Sequence, residues 1–520
     1  MADGSLPTSP RPIRWWIAIV ILAIGAGTMA VVSLDPSRSH QQRNLTLLAT
    51  LVTVVPLLLL WWGLLSDAPK SWRRAGVGSF LGLAAALSAL FRITGVSGDL
   101  LPIFEFRWKA GPTAAANPPP SVAPEPTPTR PALTATSRSD YPQYLGPDRN
   151  AVIRNVRLAT DWSTNGPVEL WRRPVGSAWS GFVTTGDLAY TQEQANEDER
   201  VTAYELTTGK PVWEHKYPGR YNTTIAGEGP RATPTVSGNR LFALGALGTL
   251  SCLDRLSGKP LWSQSLTNLA QCSVPEWGFT SSPLCVGDLV IVQAAGRTSV
   301  WAFHAADGKV AWAAGSHGSS YGSVTLLELA GRPQLVAYGS RSVVGLDPST
   351  GQELWHQSFG TGMPLVANPV LLATNRIAVS AGYNVGTTVL EFTPAAAAPG
   401  TVWSSRRLKC KFGNPVVIGD LLVGLDDGIL TGLAVDGSKA YWKEGRYGHG
   451  QGLRVGDLFL LMSEQGKVLL LKPTHDGPGE LAQRAVFEAK TWNPIALAGD
   501  LLLVRNDREA ACLRLPLAGP

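Results

Sequence analysis

Four stretches decide the fold: LTTGKPVW (206–213), RLSGKPLW (255–262), AADGKVAW (305–312) and PSTGQELW (348–355). In each, the glycine stands four residues before the tryptophan. That spacing is expected where Gly supplies a φ > 0 turn and the aromatic ring lands on a fixed side of the next strand. Looser copies end at Trp403 (AAAAPGTVW) and Trp442 (VDGSKAYW). The recurrence falls at about 40–50 residues, the range in which one unit is a four-stranded propeller blade. A tryptophan repeated once per unit buries a large ring and reads as a packing anchor between units rather than a ligand platform.

A second element opens each unit. TPTV (233–236), SPLC (282–285), NPVL (368–371), NPVV (414–417) and NPIA (493–496) place a proline ahead of an apolar run. Proline cannot donate to a ladder, so its recurrence marks an edge or first-strand position, as beside a propeller axis. Gly-Asp or Gly-Asn then follows at 186–187, 238–239, 287–288, 419–420, 456–457 and 499–500, reading as hairpin turns to a second strand. Inner strands start near Gly181, Thr233, Ser282, Ser323, Asn368, Asn414, Gly452 and Asn493, which makes eight. Outer strands also number eight if VELWRRPV (168–175) is included. The last unit ends at AACLRLPL (510–517) without an outer strand, so 168–175 is expected to complete it and remove an exposed sheet edge. The expected fold of 141–520 is all-β, an eight-bladed β-propeller.

Composition agrees with a buried, sheet-rich body beside a membrane segment. Charged residues make up 16% of the 520-residue chain, against about 25% in ordinary soluble proteins. The net charge of +6 is spread along the chain without a basic block, which excludes nucleic acid as a partner. The five cysteines are odd in number and form no CxxC, so neither a zinc site nor a disulfide framework is signalled.

Beyond a short N-terminus (1–12, expected cytoplasmic), three apolar runs precede the repeats: 13–34, 45–65 and 76–94. The first carries only Arg14, and the second is uncharged with Pro56 inside and Trp61 and Trp62 near one end. The third is richer in Gly and Ala, suited to packing against the other two. The expectation is an integral membrane protein held in the lipid bilayer by three transmembrane helices. A cleaved signal peptide over 11–30 is the alternative. Against it stand an apolar core longer than usual, no clean A-x-A site and two further runs. Three spans put residue 1 and the C-terminal part on opposite sides, with the propeller expected to be extracytoplasmic, on the periplasmic side of the inner membrane. Residues 110–140 are dominated by Pro, Ala, Ser and Thr, and read as a disordered, extended spacer.

The TGKxxW hairpins with the xPxV and Gly-Asp elements resemble the pyrroloquinoline-quinone-type repeat. That repeat builds the eight-bladed propellers of quinoprotein alcohol dehydrogenases and of the propeller lipoprotein of outer-membrane β-barrel assembly. The quinoprotein branch implies a quinone clamped between an aromatic ring and a disulfide of two adjacent cysteines, with calcium and an aspartate base. No two cysteines are adjacent here; the nearest are Cys272 and Cys285, and no haem-attaching CxxCH exists. The resemblance therefore implies a quinoprotein-like architecture with no cofactor, the quinone included, and no metal.

Propellers bind ligands at the axis, so the polar and aromatic residues at inner-strand starts and adjoining loops are the candidate pocket. They are Arg231, Glu276, Trp277, Lys411, Asn414, His449, Gln451, Trp492 and Asn493, with Asp426, Asp427, Arg505 and Arg508 on loops between second and third strands. Converging, they make a mixed-charge cavity with indole faces, suited to a polar ligand or an anionic peptide end. Asp-Asp-Gly and Asn-Asp-Arg are also ordinary turn sequences, and a lone histidine is no metal site. No nucleophile constellation can be assembled from the spacing. The reading is a membrane-anchored, non-catalytic protein-interaction scaffold, or an envelope assembly or sensing factor, with an unidentified protein partner. The alternatives are a quinoprotein-type oxidoreductase and a small-ligand receptor.

Overall fold

The computed structural model describes residues 12–35, 38–108, 140–393 and 398–519. The chain divides into two compact units, Met1–Gly111 and Pro112–Pro520. Almost all of the expected N-terminal segment 1–12 and spacer 110–140 lies outside the described residues.

The first unit contains α1 (Trp15–Leu34), α2 (His40–Leu60) and α3 (Lys70–Leu90). A capping box between Ser39 and Gln42 starts α2, and a π turn, Trp61–Leu65, extends it. The start of α1 lies beside the end of α2: Arg14 N–H donates to Ser66 O at 3.0 Å and its guanidinium pairs with Asp67 at 2.6 Å. Two helical stretches, Trp15–Leu34 and His40–Leu65, are long and apolar enough to cross a membrane. The expectation of three spans is thus met by length and composition for two only. The third run is helical, but α3 opens with Lys70, Arg73 and Arg74 and stops at Leu90, short of the expected residue 94. From Phe91 the chain turns to strand, Phe91–Val96 pairing antiparallel with Pro102–Phe106, because β-branched residues and Gly95 favour extended backbone over another helical turn. The tip of this hairpin returns to the start of α2, where Asn44 Nδ2 donates to Asp99 O at 2.9 Å.

The second unit is built of eight blades, seven of four strands and one of five. In chain order they span 183–218, 235–265, 284–314, 325–358, 370–405, 416–446 and 451–485, and the eighth joins 496–514 to Val168–Pro174. That last strand pairs antiparallel with Glu509–Arg514, from Glu509 opposite Pro174 to Arg514 opposite Val168. The ring therefore closes with the segment the sequence nominated.

The repeated Gly and Trp meet across blades rather than within one. A Cβ on Gly209, Gly258, Gly308, Gly351 or Gly437 would lie 2.4–2.6 Å from Trp171, Trp213, Trp262, Trp312 or Trp403 respectively, each on the preceding blade. These glycines have φ of 69–77°, so both the turn and the indole packed on it demand the missing side chain. Trp171, Trp213, Trp262 and Trp403 also donate Nε1–H to Leu206, Arg255, Ala305 and Val435 carbonyls of the next blade, at 2.9–3.3 Å. Trp171 belongs to the closing strand and docks on blade 1 in the same way.

A second lock circles the axis. The N–H of Gly181 donates to Thr233 Oγ1, Thr233 to Ser282 Oγ, Ser282 to Ser323 Oγ, Ser323 to Asn368 Oδ1 and Asn368 to Asn414 Oδ1, at 2.6–3.2 Å. These are six of the eight inner-strand starts counted from the sequence, and from Thr233 to Asn414 the short polar side chain at each satisfies a buried donor of the blade before it.

One end of the axis is covered by residues 141–155, which are not part of any repeat. Tyr141 exchanges backbone bonds with Thr184 of blade 1, and Val152–Ile153 adds a parallel edge to blade 7. Arg149, 3% exposed, donates to the carbonyls of Val324, Pro283 and Ser282 at 2.6–3.0 Å. Tyr144 receives Asn414 Nδ2 at 2.9 Å.

Truncating Trp171 to Ala is expected to lower stability by about 3–5 kcal/mol, the usual cost of removing a buried aromatic, measured by denaturant unfolding of the detergent-solubilised chain. A second expectation concerns Glu199, which sits in the seam between blades 1 and 2. Its carboxylate accepts the N–H of Ala246 through both oxygens at 3.0 and 3.1 Å. Burial raises its pKa from 4.5 to about 7 against that bond. The folded state therefore holds a proton between pH 4.5 and 7 that the unfolded chain releases, so this group's contribution to stability falls as pH rises through that window. Glu199→Gln is expected to flatten that part of the melting-temperature profile, and an unchanged slope would contradict the assignment.

Candidate functional site

The loops that enter the inner strands lie at the end of the axis opposite the 141–155 cover, and they are tied to one another. Trp179 N–H donates to Pro230 O, Thr280 Oγ1 to Tyr321 O, and Tyr321 N–H to Leu365 O, at 2.8–3.0 Å. The rim of this mouth is thus fixed across blades 1 to 5.

Inside the rim is an aromatic cluster. Trp492 lies with ring centroids 5.0 Å from Trp179 and 5.0 Å from Phe412, and Phe412 meets His449 edge-on at 5.4 Å. Gln451 Nε2 donates to both Phe412 O and Trp492 O at 3.2 and 3.0 Å. Glu464 receives the Trp492 indole N–H through one oxygen and the His449 backbone N–H through the other, each at 3.0 Å. Four candidates from blades 6 to 8, Lys411, His449, Gln451 and Trp492, therefore converge.

Cations are set against these rings. Lys490 Nζ lies 4.0 Å from the Trp492 centroid and 5.0 Å from that of Trp179. Lys411 Nζ lies 5.0 Å from Tyr383 and 5.6 Å from Phe412, and the Arg231 guanidinium 4.5 Å from Tyr221. Burial lowers the pKa of Lys490 and, to about 10, that of Arg231. Burial likewise raises that of the Asp507 carboxyl, against Arg508 and Lys490. Asp507 and Glu464 already act on Lys490, and Glu199 on Arg231, and a further anion gains more from a desolvated cation than from one in water.

The remaining candidates divide by place. Glu276 is exposed on the rim and its carbonyl takes the Tyr221 hydroxyl, with Trp277 half-buried beside it. Arg508 stays on the rim, its guanidinium 3.9 Å from Asp507. Asp427 pairs with Lys409 at 2.6 Å, and Asp426 with Lys443 at 2.8 Å and Lys409 at 3.4 Å, so both carboxylates are neutralised within blade 6. Asn414 belongs to the axial ring. Asn493 Nδ2 bonds Ala178 O and Ser180 O, and fully buried Arg505 clamps blade 8 to Gly176 O, Gln192 O and Thr191 Oγ1, at 2.7–2.9 Å. These three side chains hold the wheel together rather than facing the mouth.

Trp179, Lys490, Phe412, Tyr383 and Tyr221 were not among the expected residues. A signal existed for two of them. Trp179 and Phe412 stand two residues before an inner-strand start, as Arg231 does.

The quinone clamp has no counterpart here. All five cysteines are free, with Cys252, Cys410 and Cys512 buried in the blades. The two adjacent carboxylates best placed for calcium already face lysines. The residues present do not fit that group.

The sequence family described as outer membrane protein assembly factor BamB matches residues 197–444, which run from blade 1 to the outer strand of blade 6. No curated protein matches the sequence. Among solved structures, BamB from Moraxella catarrhalis is 14% identical, with a TM-score of 0.51 over 68% of this chain and 99% of that one. The quinohemoprotein alcohol dehydrogenase from Comamonas testosteroni is 12% identical, with a TM-score of 0.51 over 74% of this chain and 82% of that one. Sqt1 from Saccharomyces cerevisiae is 13% identical, with a TM-score of 0.51 over 68% and 100%. At these identities the likeness is one of fold, and the chain is similar to a propeller architecture found both in an assembly factor and in a dehydrogenase.

Proposed function

We propose that this protein is a membrane-tethered, non-catalytic scaffold whose propeller docks a partner protein at the mouth opposite the 141–155 cover. The observation that carries this reading is the set of Lys411, Lys490 and Arg231 held against aromatic rings on a loop rim tied blade to blade. Such a surface favours an acidic peptide segment or chain end, because its cations are desolvated and fixed before the partner arrives. The similarity to BamB supports an assembly-type role. The quinoprotein alternative has less support, since no two cysteines are adjacent to build its clamp.

The proposed tether is the three-helix unit, with the propeller on the extracytoplasmic face. Supporting this, α3 has 21 residues, about 31 Å at 1.5 Å per residue, comparable with the hydrocarbon thickness. It leads from the level of Arg14 and Asp67 back toward the hairpin tip that meets Asn44. If α1 and α2 alone cross, both termini share one side and the extracytoplasmic placement fails. Reporters fused before Met1 and after Pro520 decide this: a cytoplasmic N-terminal and an extracytoplasmic C-terminal reporter support the proposal, and any other arrangement overturns it.

For the mouth, photo-crosslinkers placed at Trp277 and at exposed Leu517 near the covered end compare the two surfaces in native membranes. Protein adducts are expected at Trp277, and to fall at least about tenfold in the Arg231→Ala, Lys411→Ala, Trp492→Ala variant. Equal adducts at both positions, or adducts indifferent to the triple change, would remove the docking assignment. Tight quinone binding with a spectral change on adding an alcohol would replace the scaffold reading by the oxidoreductase one.

A further inference from the structure

Away from the axis, blade 4 carries a donor set that the scaffold reading does not use. His317 lies in the loop entering the blade, while Glu353 and His356 are on its outermost strand, Glu353–Ser358. His317 Nε2 is 3.0 and 3.2 Å from the two oxygens of Glu353, and His356 Nδ1 is 2.8 Å from Oε1. The two imidazole centroids are 4.5 Å apart, and one donor atom from each residue lies within 4.8 Å of the others. Bonds of about 2.0–2.2 Å to a tetrahedral zinc ion put donors roughly 3.3–3.5 Å apart. The two His–carboxylate separations are within about half an ångström of that, and side-chain rotation has to close the separation of the two imidazole donors, which lies within 4.8 Å. The loop is already fixed, since His317 O accepts both the backbone N–H of Ser340, at 3.0 Å, and its hydroxyl, at 3.2 Å. Side-chain exposures of 29% for His317, 33% for Glu353 and 56% for His356 leave an entry path.

We propose that His317, Glu353 and His356 form a zinc-class transition-metal site on the outer rim of blade 4, with the fourth coordination position open to water or to a donor from outside. Both imidazoles bind through a nitrogen lone pair and the carboxylate as the anion, so any proton held at those donor atoms leaves to solvent as the metal enters.

The test is Co²⁺ titration of the full chain, free of any histidine tag, in detergent at near-neutral pH, followed by Zn²⁺ competition. Visible d–d absorption that develops stoichiometrically and is displaced by Zn²⁺ supports the site. His317→Ala and His356→Ala are each expected to weaken binding at least about tenfold, since loss of an orienting partner alone typically costs 10–100-fold. His475→Ala, removing a histidine that pairs with Asp420 and stacks on Tyr441 away from this cluster, is expected to leave binding unchanged. Absence of the d–d band, or the same titration in the His317→Ala, His356→Ala double variant, would overturn the proposal.

Discussion

The structure depends on one contact repeated at five of its eight seams: an indole of one blade laid on the bare glycine of the next blade's hairpin. The contact explains why Gly and Trp recur together although the pair in each TGKxxW stretch do not touch one another. The glycine receives a ring from the blade before, and the tryptophan gives its ring to the blade after. Without an outer strand on the last blade, the seam onto blade 1 would lose this contact. Val168–Pro174 prevents this by supplying Trp171 to Gly209 from the outer position of blade 8.

The inner ring does for the axis what the tryptophans do for the perimeter. Thr233, Ser282, Ser323, Asn368 and Asn414 each accept the backbone N–H of the blade before, so their polarity serves satisfaction of buried donors and not ligand chemistry. Arg149 then fills one end with a guanidinium spread over three carbonyls. The two faces of the disc become different, one covered by the chain's own segment and one ringed by loops with cations over aromatic faces. Under the proposed scaffold reading, that asymmetry supplies the docking face.

What was legible in the sequence was what repeats. Turn glycines, anchoring tryptophans and inner-strand starts recur because each blade meets the same steric demands. Their count therefore gave the closing strand as well. The cover at 141–155 was not legible, since it occurs once and has partners far along the chain, 270 residues separating Tyr144 from Asn414. Nor was the engagement of Asp426 and Asp427, because Lys409 and Lys443 reach them from neighbouring segments and turn an apparent acidic loop into a neutralised one. Arg505 and Asn493 were legible as unusual polar residues, but only the seam contacts separate a strut from a ligand-facing group. In the first unit, Lys70, Arg73 and Arg74 make α3 less apolar than its neighbours, and strand-forming residues from Phe91 end it early.

The most direct measurement on the closed wheel is a cross-strand disulfide trap between its first and last segments. Val168 and Arg514 are register partners on exposed edges of the two strands. Mild oxidation of the Val168→Cys, Arg514→Cys variant is expected to give one intramolecular link, seen by non-reducing gel mobility and by mass spectrometry of the joined peptides. Failure of that pair to link, or linkage only between separate molecules, would contradict a ring closed by the chain's own early strand.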